Sequence, residues 1–192
     1  KNIPAEKSLN LTIENSKISS NTINHNDAVK EYSGVGIAIE DVEANITITD
    51  SEINSNKINQ DGIANANTPE DKGVGLWFGN SAVTKISNST ISGNKIENAA
   101  STNKNAGGGI CIDGGTLTIN GDTIISYNLS GYGGGVCIFG GNFTMSNGAE
   151  ISNCTGDYAG GIIIYTGGSF EMNDGATISR CTSLQYGGGV VV

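Results

Sequence analysis

The sequence predicts a single right-handed parallel β-helix, in which short strands wind around one core and each coil stacks on the coil before it. Three observations lead to this fold class. A glycine-rich phrase returns at a nearly fixed interval, apolar phrases alternate with polar residues, and turn-forming pairs such as Asn147-Gly148 separate them. Self-similarity at a period of roughly 20 to 50 residues is the signature of stacked repeats, so all three observations point the same way.

The glycine-rich phrase is clearest in the second half of the chain, where 22 of the 29 glycines lie. Three small residues are followed by three apolar ones, as in Gly-Gly-Gly-Ile-Cys-Ile at 107–112. The phrase begins at positions 107, 133, 159 and 187, at intervals of 26, 26 and 28 residues. Looser copies begin at Gly34 and Gly73, which extends the repeat into the first half.

Two more apolar phrases follow the glycines in each repeat. In the repeat that begins at 107 they are Leu-Thr-Ile at 117–119 and Ile-Ser-Tyr-Asn at 125–128. Alternation of apolar and polar residues is the pattern of a strand with one buried face. Three strands and three turns in about 26 residues are therefore expected to form one coil, and the chain holds about six coils. Left-handed β-helices need shorter and more regular coils, which favours the right-handed form.

Long insertions distinguish the two halves of the chain. We expect one β-helix domain over 1–192, a fragment of a longer protein, with long-loop coils in 1–106 and short glycine-rich coils in 107–192. The insertions 22–33, 57–72 and 95–106 all enter at one corner, and such loops often form the binding face of a repeat protein. The alternative is that they cover an end or an edge of the core. The candidate binding residues in these loops are His25, Lys30, Glu31, Tyr32, Asp61, Glu70, Asp71, Lys72 and Lys104.

Two rows of equivalent residues are expected at the corners of the coils. An asparagine row is predicted to be structural, because amides both donate and accept hydrogen bonds and can link successive coils. A tyrosine row is predicted to stack as an aromatic ladder, with a platform for carbohydrate as its functional alternative. The first row consists of Asn21, Asn56, Asn94 and Asn128, continued by Cys154 and Cys181, and the second of Tyr132, Tyr158 and Tyr186. At the loop bases, Ile23, Ile58 and Ile96 are predicted to pack together.

An apolar row is also expected on the outer surface of the glycine-phrase strands. It contains Cys111 and Cys137, and an outer row this apolar is unusual for a solvated face. Either a partner or another part of a longer protein covers it, or β-branched and small residues simply suit a flat sheet. This face offers Trp77, Phe139 and Tyr165 as a second candidate binding surface.

The four cysteines are predicted to fall into register pairs, Cys111 with Cys137 and Cys154 with Cys181. Neighbouring coils bring Cα atoms within the disulfide range of about 4.4–6.8 Å, so bridging is open to both pairs. We expect free thiols for the buried pair, Cys154 and Cys181, and leave the state of the outward pair open.

Composition and charge narrow the possible functions. With 10 Lys and Arg against 19 Asp and Glu, the net charge is −9, which argues against nucleic acid or an anionic membrane as partner. No apolar run is long enough to span a membrane. The lone histidine, His25, is a poor metal candidate, so no metal and no cofactor is predicted.

The acidic residues are too scattered to predict catalysis. Many right-handed β-helices are pectin-lyase-like polysaccharide lyases or hydrolases, and hydrolysis of a glycosidic bond needs two carboxylates that face one cleft. No such cluster is apparent, so a non-catalytic role is expected. The alternatives are a carbohydrate-active enzyme, such as a tailspike-like depolymerase, and a spacer in a long stalk.

The repeated Gly-Gly-x-Ile and Ile-x-x-Asn phrases resemble the GGAI and FxxN repeats of polymorphic outer-membrane proteins. They are also similar to the β-helix repeats of adhesin-like surface proteins of bacteria and archaea. The resemblance covers residues 9–192, with isoleucine in place of phenylalanine at the head of the second motif. It implies an extracellular, surface-displayed segment that adheres to a protein or glycan on another cell.

Overall fold

The computed structural model describes residues 9–24, 32–40, 43–60, 72–79, 82–97 and 106–192, and within these ranges the chain is all-β. The described residues form 24 parallel strands in four six-stranded sheets. Each sheet takes one strand from every coil, so the predicted right-handed parallel β-helix of about six coils is confirmed. Among the described residues no helix is long and apolar enough to cross a membrane.

The sheets are named by the order in which the chain first enters them. The first contains β1 (Leu9–Glu14), β5 (Ala44–Thr49), β9 (Ala82–Ser87), β13 (Thr116–Asn120), β17 (Gly141–Met145) and β21 (Gly168–Met172). The second contains β2 (Lys17–Ser19), β6 (Glu52–Asn54), β10 (Thr90–Ser92), β14 (Ile124–Ser126), β18 (Glu150–Ser152) and β22 (Thr177–Ser179). The third contains β3 (Thr22–Asn24), β7 (Lys57–Asn59), β11 (Lys95–Glu97), β15 (Leu129–Ser130), β19 (Thr155–Gly156) and β23 (Thr182–Ser183). The fourth contains β4 (Ile37–Ile39), β8 (Leu76–Phe78), β12 (Ile110–Ile112), β16 (Val136–Ile138), β20 (Ile162–Ile164) and β24 (Val190–Val191).

Each coil has four strands, so the prediction of three was wrong. The additional strand belongs to the third sheet and begins directly after the asparagine-row residue. It is only two or three residues long, too short for alternation to reveal it. The predicted insertions therefore begin as strands, and their parts at 25–31, 61–71 and 98–105 lie outside the described residues. Ile58 and Ile96 are buried in one cluster with Ile23 packed against it, which confirms the predicted contact at the loop bases.

The core lies between the sheets and consists of stacked apolar rows. The isoleucines of the second sheet, Ile53, Ile91, Ile125 and Ile151, pair in register along the axis and are fully buried. The fourth sheet pairs Leu76 with Ile110 and Ile110 with Val136, as the glycine phrases predict. Each coil thus buries its inward residues against the coils above and below, which is how a solenoid gains its stability.

The asparagine row forms a continuous hydrogen-bonded ladder, as predicted. Asn21 Nδ2 donates to Asn56 Oδ1 at 2.9 Å, and Asn56 Nδ2 donates to Asn94 Oδ1 at 2.9 Å. Asn94 Nδ2 donates to Asn128 Oδ1 at 3.1 Å, and Asn128 Nδ2 approaches Cys154 Sγ at 3.9 Å. These bonds join four successive coils at one corner and end at the cysteines.

All four cysteines are free thiols, and the two at the end of the ladder have unlike surroundings. Cys154 is fully buried, whereas Cys181 is partly exposed. A hydrogen bond from the Cys154 thiol lowers the pKa of Cys181 to about 7, and the same bond raises the pKa of Cys154. Because the thiolate is the nucleophile, Cys181 is the reactive one of this pair at neutral pH.

We expect iodoacetamide to alkylate Cys181 before the other thiols, with a rate that rises with pH and is half-maximal near pH 7. Cys111 stays unmodified until the protein unfolds, because burial raises its pKa and excludes the reagent. Peptide mass spectrometry after short labelling pulses at several pH values measures both rates. Cys181→Ser removes the fast phase. Early labelling of Cys111 or Cys154 contradicts the assignment.

Candidate functional site

The apolar row on the outer surface of the fourth sheet is covered by the chain's own side chains. Cys111 and Cys137 pair in register and lie in a cluster separate from the core, which confirms that they point outward. Both are nevertheless fully buried, because Tyr132 belongs to the same cluster and Trp77 packs against it. The expectation of a solvent-facing row, or of one covered by a partner, was wrong for these two cysteines. Neighbouring coils supply the cover.

The predicted tyrosine ladder is present along one side of this row. Each of the three tyrosines precedes a glycine phrase, so stacking of the coils places them in line. The ring centroids of Tyr132 and Tyr158 are 4.8 Å apart, and those of Tyr158 and Tyr186 are 5.4 Å apart. The rings are tilted by 52° and 32° rather than parallel. They form one aromatic wall along the axis.

Aromatic residues also stand on the other side of the row, just after the strands of the fourth sheet. Phe139 follows β16 and Tyr165 follows β20, and their rings stack with centroids 5.0 Å apart at 19°. Tyr165 also meets Tyr132 edge to face at 5.6 Å and 85°. The two sides therefore touch at Tyr132 and Tyr165. In the same cluster Cys137 is fully buried and Ile163 is 5% exposed.

Beyond the contact between Tyr132 and Tyr165, the two walls separate and leave a groove of about 670 Å³. We call it the tyrosine groove. Ile163 and Val191 form its apolar floor, and Tyr158 and Tyr186 continue the first wall. The second wall consists of Tyr165, Thr166, Gly167 and Gly168. None of the described residues that line the groove is charged.

A polar cluster lies at the other end of the covered row. Lys72 Nζ is 3.3 Å from Asp113 Oδ2, and Trp77 Nε1 donates a hydrogen bond of 2.9 Å to the same oxygen. Lys72 Nζ also lies 5.1 Å from the centroid of the Phe139 ring, within the range of a cation–π interaction. These contacts hold Trp77, which packs against the covered row, at this end.

No protein-family model matches the chain, and comparison with curated proteins and with solved structures likewise finds no match. The function is therefore argued from the geometry of the site. In the part of the chain that the structure describes, no group of three or more His, Cys, Asp or Glu side chains is arranged to hold a metal ion.

The structure brings together one of the two predicted binding surfaces. Trp77, Phe139 and Tyr165 lie in one cluster, and Lys72 joins them although it was predicted as a loop residue. The backbone N–H of Lys72 donates to the Tyr32 carbonyl at 3.0 Å, but the Tyr32 side chain packs against the separate cluster at the loop bases. The remaining predicted loop residues lie outside the described residues: His25, Lys30, Glu31, Asp61, Glu70, Asp71 and Lys104.

Sequence reasoning missed the second wall of the groove and the acid that anchors Trp77. Thr166 and Gly167 form a turn that leads into β21, and the N–H of Gly168, its first residue, donates to the Tyr165 carbonyl at 2.9 Å. The only signal for this wall was the Gly-Gly pair that precedes the first-sheet strand in the later repeats. The contact between Asp113 and Trp77 was missed because the two residues lie 36 positions apart in the sequence.

Proposed function

We propose that this chain is a non-catalytic binding segment of an extracellular, surface-displayed protein of the adhesin-like type, and that it binds a neutral glycan on another cell. The observation that carries the proposal is the tyrosine groove. It has tyrosines on both walls, an apolar floor and no charged lining residue among those described. Concave, mostly aromatic sites with a few polar groups are the usual form of a small-molecule site.

The chemistry of the groove suits a sugar. A pyranose presents C–H groups on its faces, which stack on aromatic rings, and hydroxyl groups around its edge. Tyrosine offers both an apolar ring and a hydroxyl that donates or accepts, and Thr166 adds a second kind of hydroxyl. The absence of charge among the described lining residues favours a neutral ligand, because a charged group would lose its hydration there without a counter-charge.

Binding is favoured over hydrolysis by the same lining. Glycosidic hydrolysis requires a carboxylic acid and a carboxylate on either side of the scissile bond. The described lining residues provide neither. The repeat phrases that resemble those of adhesin-like proteins support surface display, and the net charge of −9 supports a partner other than nucleic acid.

We expect an array of neutral glycans to identify a ligand whose affinity falls about twofold to tenfold in Tyr186→Ala, since one stacked ring contributes roughly 0.5–1.5 kcal/mol. The matched control is Tyr127→Ala. Tyr127 and Tyr186 are each 67% exposed, but Tyr127 lies on a turn outside the groove. Affinities of the three proteins are measured by titration calorimetry with the glycan that the array identifies.

Equal losses in Tyr186→Ala and Tyr127→Ala would place the glycan outside the groove. An array without any bound neutral glycan would favour the spacer role instead. Release of sugar products during the titration would favour the enzyme, so the mixture is also checked by chromatography.

A further inference from the structure

We propose that the tyrosine groove receives the end of an extended glycan chain, which lies parallel to the axis of the β-helix with about one sugar per coil. This inference rests on the proposed function, because it names which part of a glycan binds and in which direction. It depends on three features of the groove: its orientation, its repeat distance and its closed end.

The groove runs along the axis because its walls and floor come from successive coils. Tyr158 and Tyr186 occupy equivalent positions in neighbouring coils, as do the floor residues Ile163 and Val191, which pair in register. A ligand that crossed the groove at right angles would meet one tyrosine and then the wall at Thr166. A ligand along the axis meets one tyrosine after another.

The repeat distance of the tyrosine wall matches an extended sugar chain. Its ring centroids are separated by 4.8 and 5.4 Å, close to the strand spacing of about 4.8 Å that fixes the distance between coils. An extended β-1,4-linked chain of pyranoses advances by a similar distance per sugar. Successive sugars of such a chain therefore meet successive tyrosines, whereas a coiled α-1,4-linked chain does not stay in register with them.

The groove is closed at the end where the two walls meet. Tyr132 and Tyr165 contact each other edge to face with centroids 5.6 Å apart, in the cluster that contains the buried Cys137. Phe139 stacks on Tyr165 just behind this contact, and Lys72 lies over Phe139. A glycan chain along the axis has no continuous path past these rings, so its terminal sugar lies against Tyr132 and Tyr165. Tyr186, at the other end of the tyrosine row, is 67% exposed.

Calorimetry with β-1,4-linked oligosaccharides of glucose, mannose and xylose, from one to six sugars long, tests the inference. We expect the affinity for the preferred series to rise about twofold to tenfold per added sugar up to about three sugars, and then to remain constant. The α-1,4-linked glucose series is expected to bind at least tenfold more weakly at three sugars. In Tyr165→Ala, which removes one of the two rings against which the terminal sugar lies, the affinity for three sugars is expected to fall about twofold to tenfold.

A second measurement avoids any dependence on the folding of the variant. Long and partially hydrolysed samples of one polysaccharide, at equal mass, compete for the unmodified protein, and short chains should inhibit in proportion to their number of ends. Three results would overturn the chain-end inference but leave glycan binding intact. They are inhibition in proportion to the mass of polysaccharide, an affinity of the unmodified protein that rises through six sugars, and equal binding of the α-linked and β-linked series. Absence of binding by every oligosaccharide and every array glycan overturns the proposed function as well.

Discussion

Replacing Asn94 by alanine is expected to lower the free energy of unfolding by about 4 kcal/mol, because four hydrogen bonds of its buried side chain are lost. Its Oδ1 accepts bonds from Asn56 N–H at 3.0 Å and from Asn56 Nδ2 at 2.9 Å. Its Nδ2 donates to the Ile53 carbonyl at 3.0 Å and to Asn128 Oδ1 at 3.1 Å. Alanine leaves these donors and acceptors buried with too few partners, and each such group costs roughly 1–3 kcal/mol.

The matched control for Asn94 is Asn21→Ala, at the exposed end of the same ladder. The Asn21 side chain donates one bond, to Asn56 Oδ1, and that oxygen also accepts from the Asn21 backbone N–H, which the substitution retains. We expect a loss of about 1 kcal/mol or less. Urea unfolding, followed by circular dichroism and by the fluorescence of the single tryptophan, compares the two variants. A cost for Asn94→Ala no larger than that for Asn21→Ala would show that the ladder does not act as a network.

The fold followed from the sequence because its strongest signals are local and repeated. Isoleucines recur at equivalent positions of the second sheet in every coil, so one correct alignment of the repeats predicts the register of the whole sheet. The third sheet was missed because its strands are too short to show a period. In the third coil, β9 could not be recognised from the sequence, because the polar Thr84 interrupts its apolar pattern. Thr84 lies between Ile46 and Leu117 in a core row. Thr84 is 1% exposed, and its hydroxyl has no hydrogen-bond partner among the described residues.

The candidate site was predicted only in part because it depends on contacts across the sheet. The tyrosine wall repeats with the glycine phrase and is visible in the sequence. Tyr132 and Tyr165 lie on opposite sides of a strand and in different coils. They make contact only because of the directions in which their side chains point. Repeat alignment says nothing about those directions. For the same reason the sequence showed that Cys111 and Cys137 point outward but not that aromatic rings cover them.

Replacing Gly109 by alanine is expected to destabilise the fold by about 3 kcal/mol or more, because no space exists for a methyl group between the coils. A Cβ at this position would lie 2.6 Å from the Gly135 carbonyl oxygen and 2.9 Å from Asn128 Nδ2. The carbonyl belongs to the backbone of the next coil and accepts hydrogen bonds from Gly109 N–H at 3.1 Å and Ile110 N–H at 3.0 Å. Moving it away breaks the contact that holds the coils together. The same close approach occurs at the third position of five glycine phrases, at Gly36, Gly75, Gly109, Gly135 and Gly161.

Gly189→Ala is the matched control, since Gly189 holds the equivalent place in the glycine phrase that begins at 187. In the 192-residue chain its Cβ would meet only Ile178 Cγ2, at 4.0 Å, among the described atoms, so we expect a change within about 0.5 kcal/mol for this chain. Both substitutions reduce the backbone freedom of the unfolded chain by the same amount. The difference between their urea midpoints therefore measures the destabilisation that arises when the added methyl group meets the next coil. Similar midpoints would mean that the coils separate easily to admit a methyl group. A large difference would show that stacking requires glycine at the third position of the phrase, because neither Gly109 nor Gly189 has a left-handed backbone.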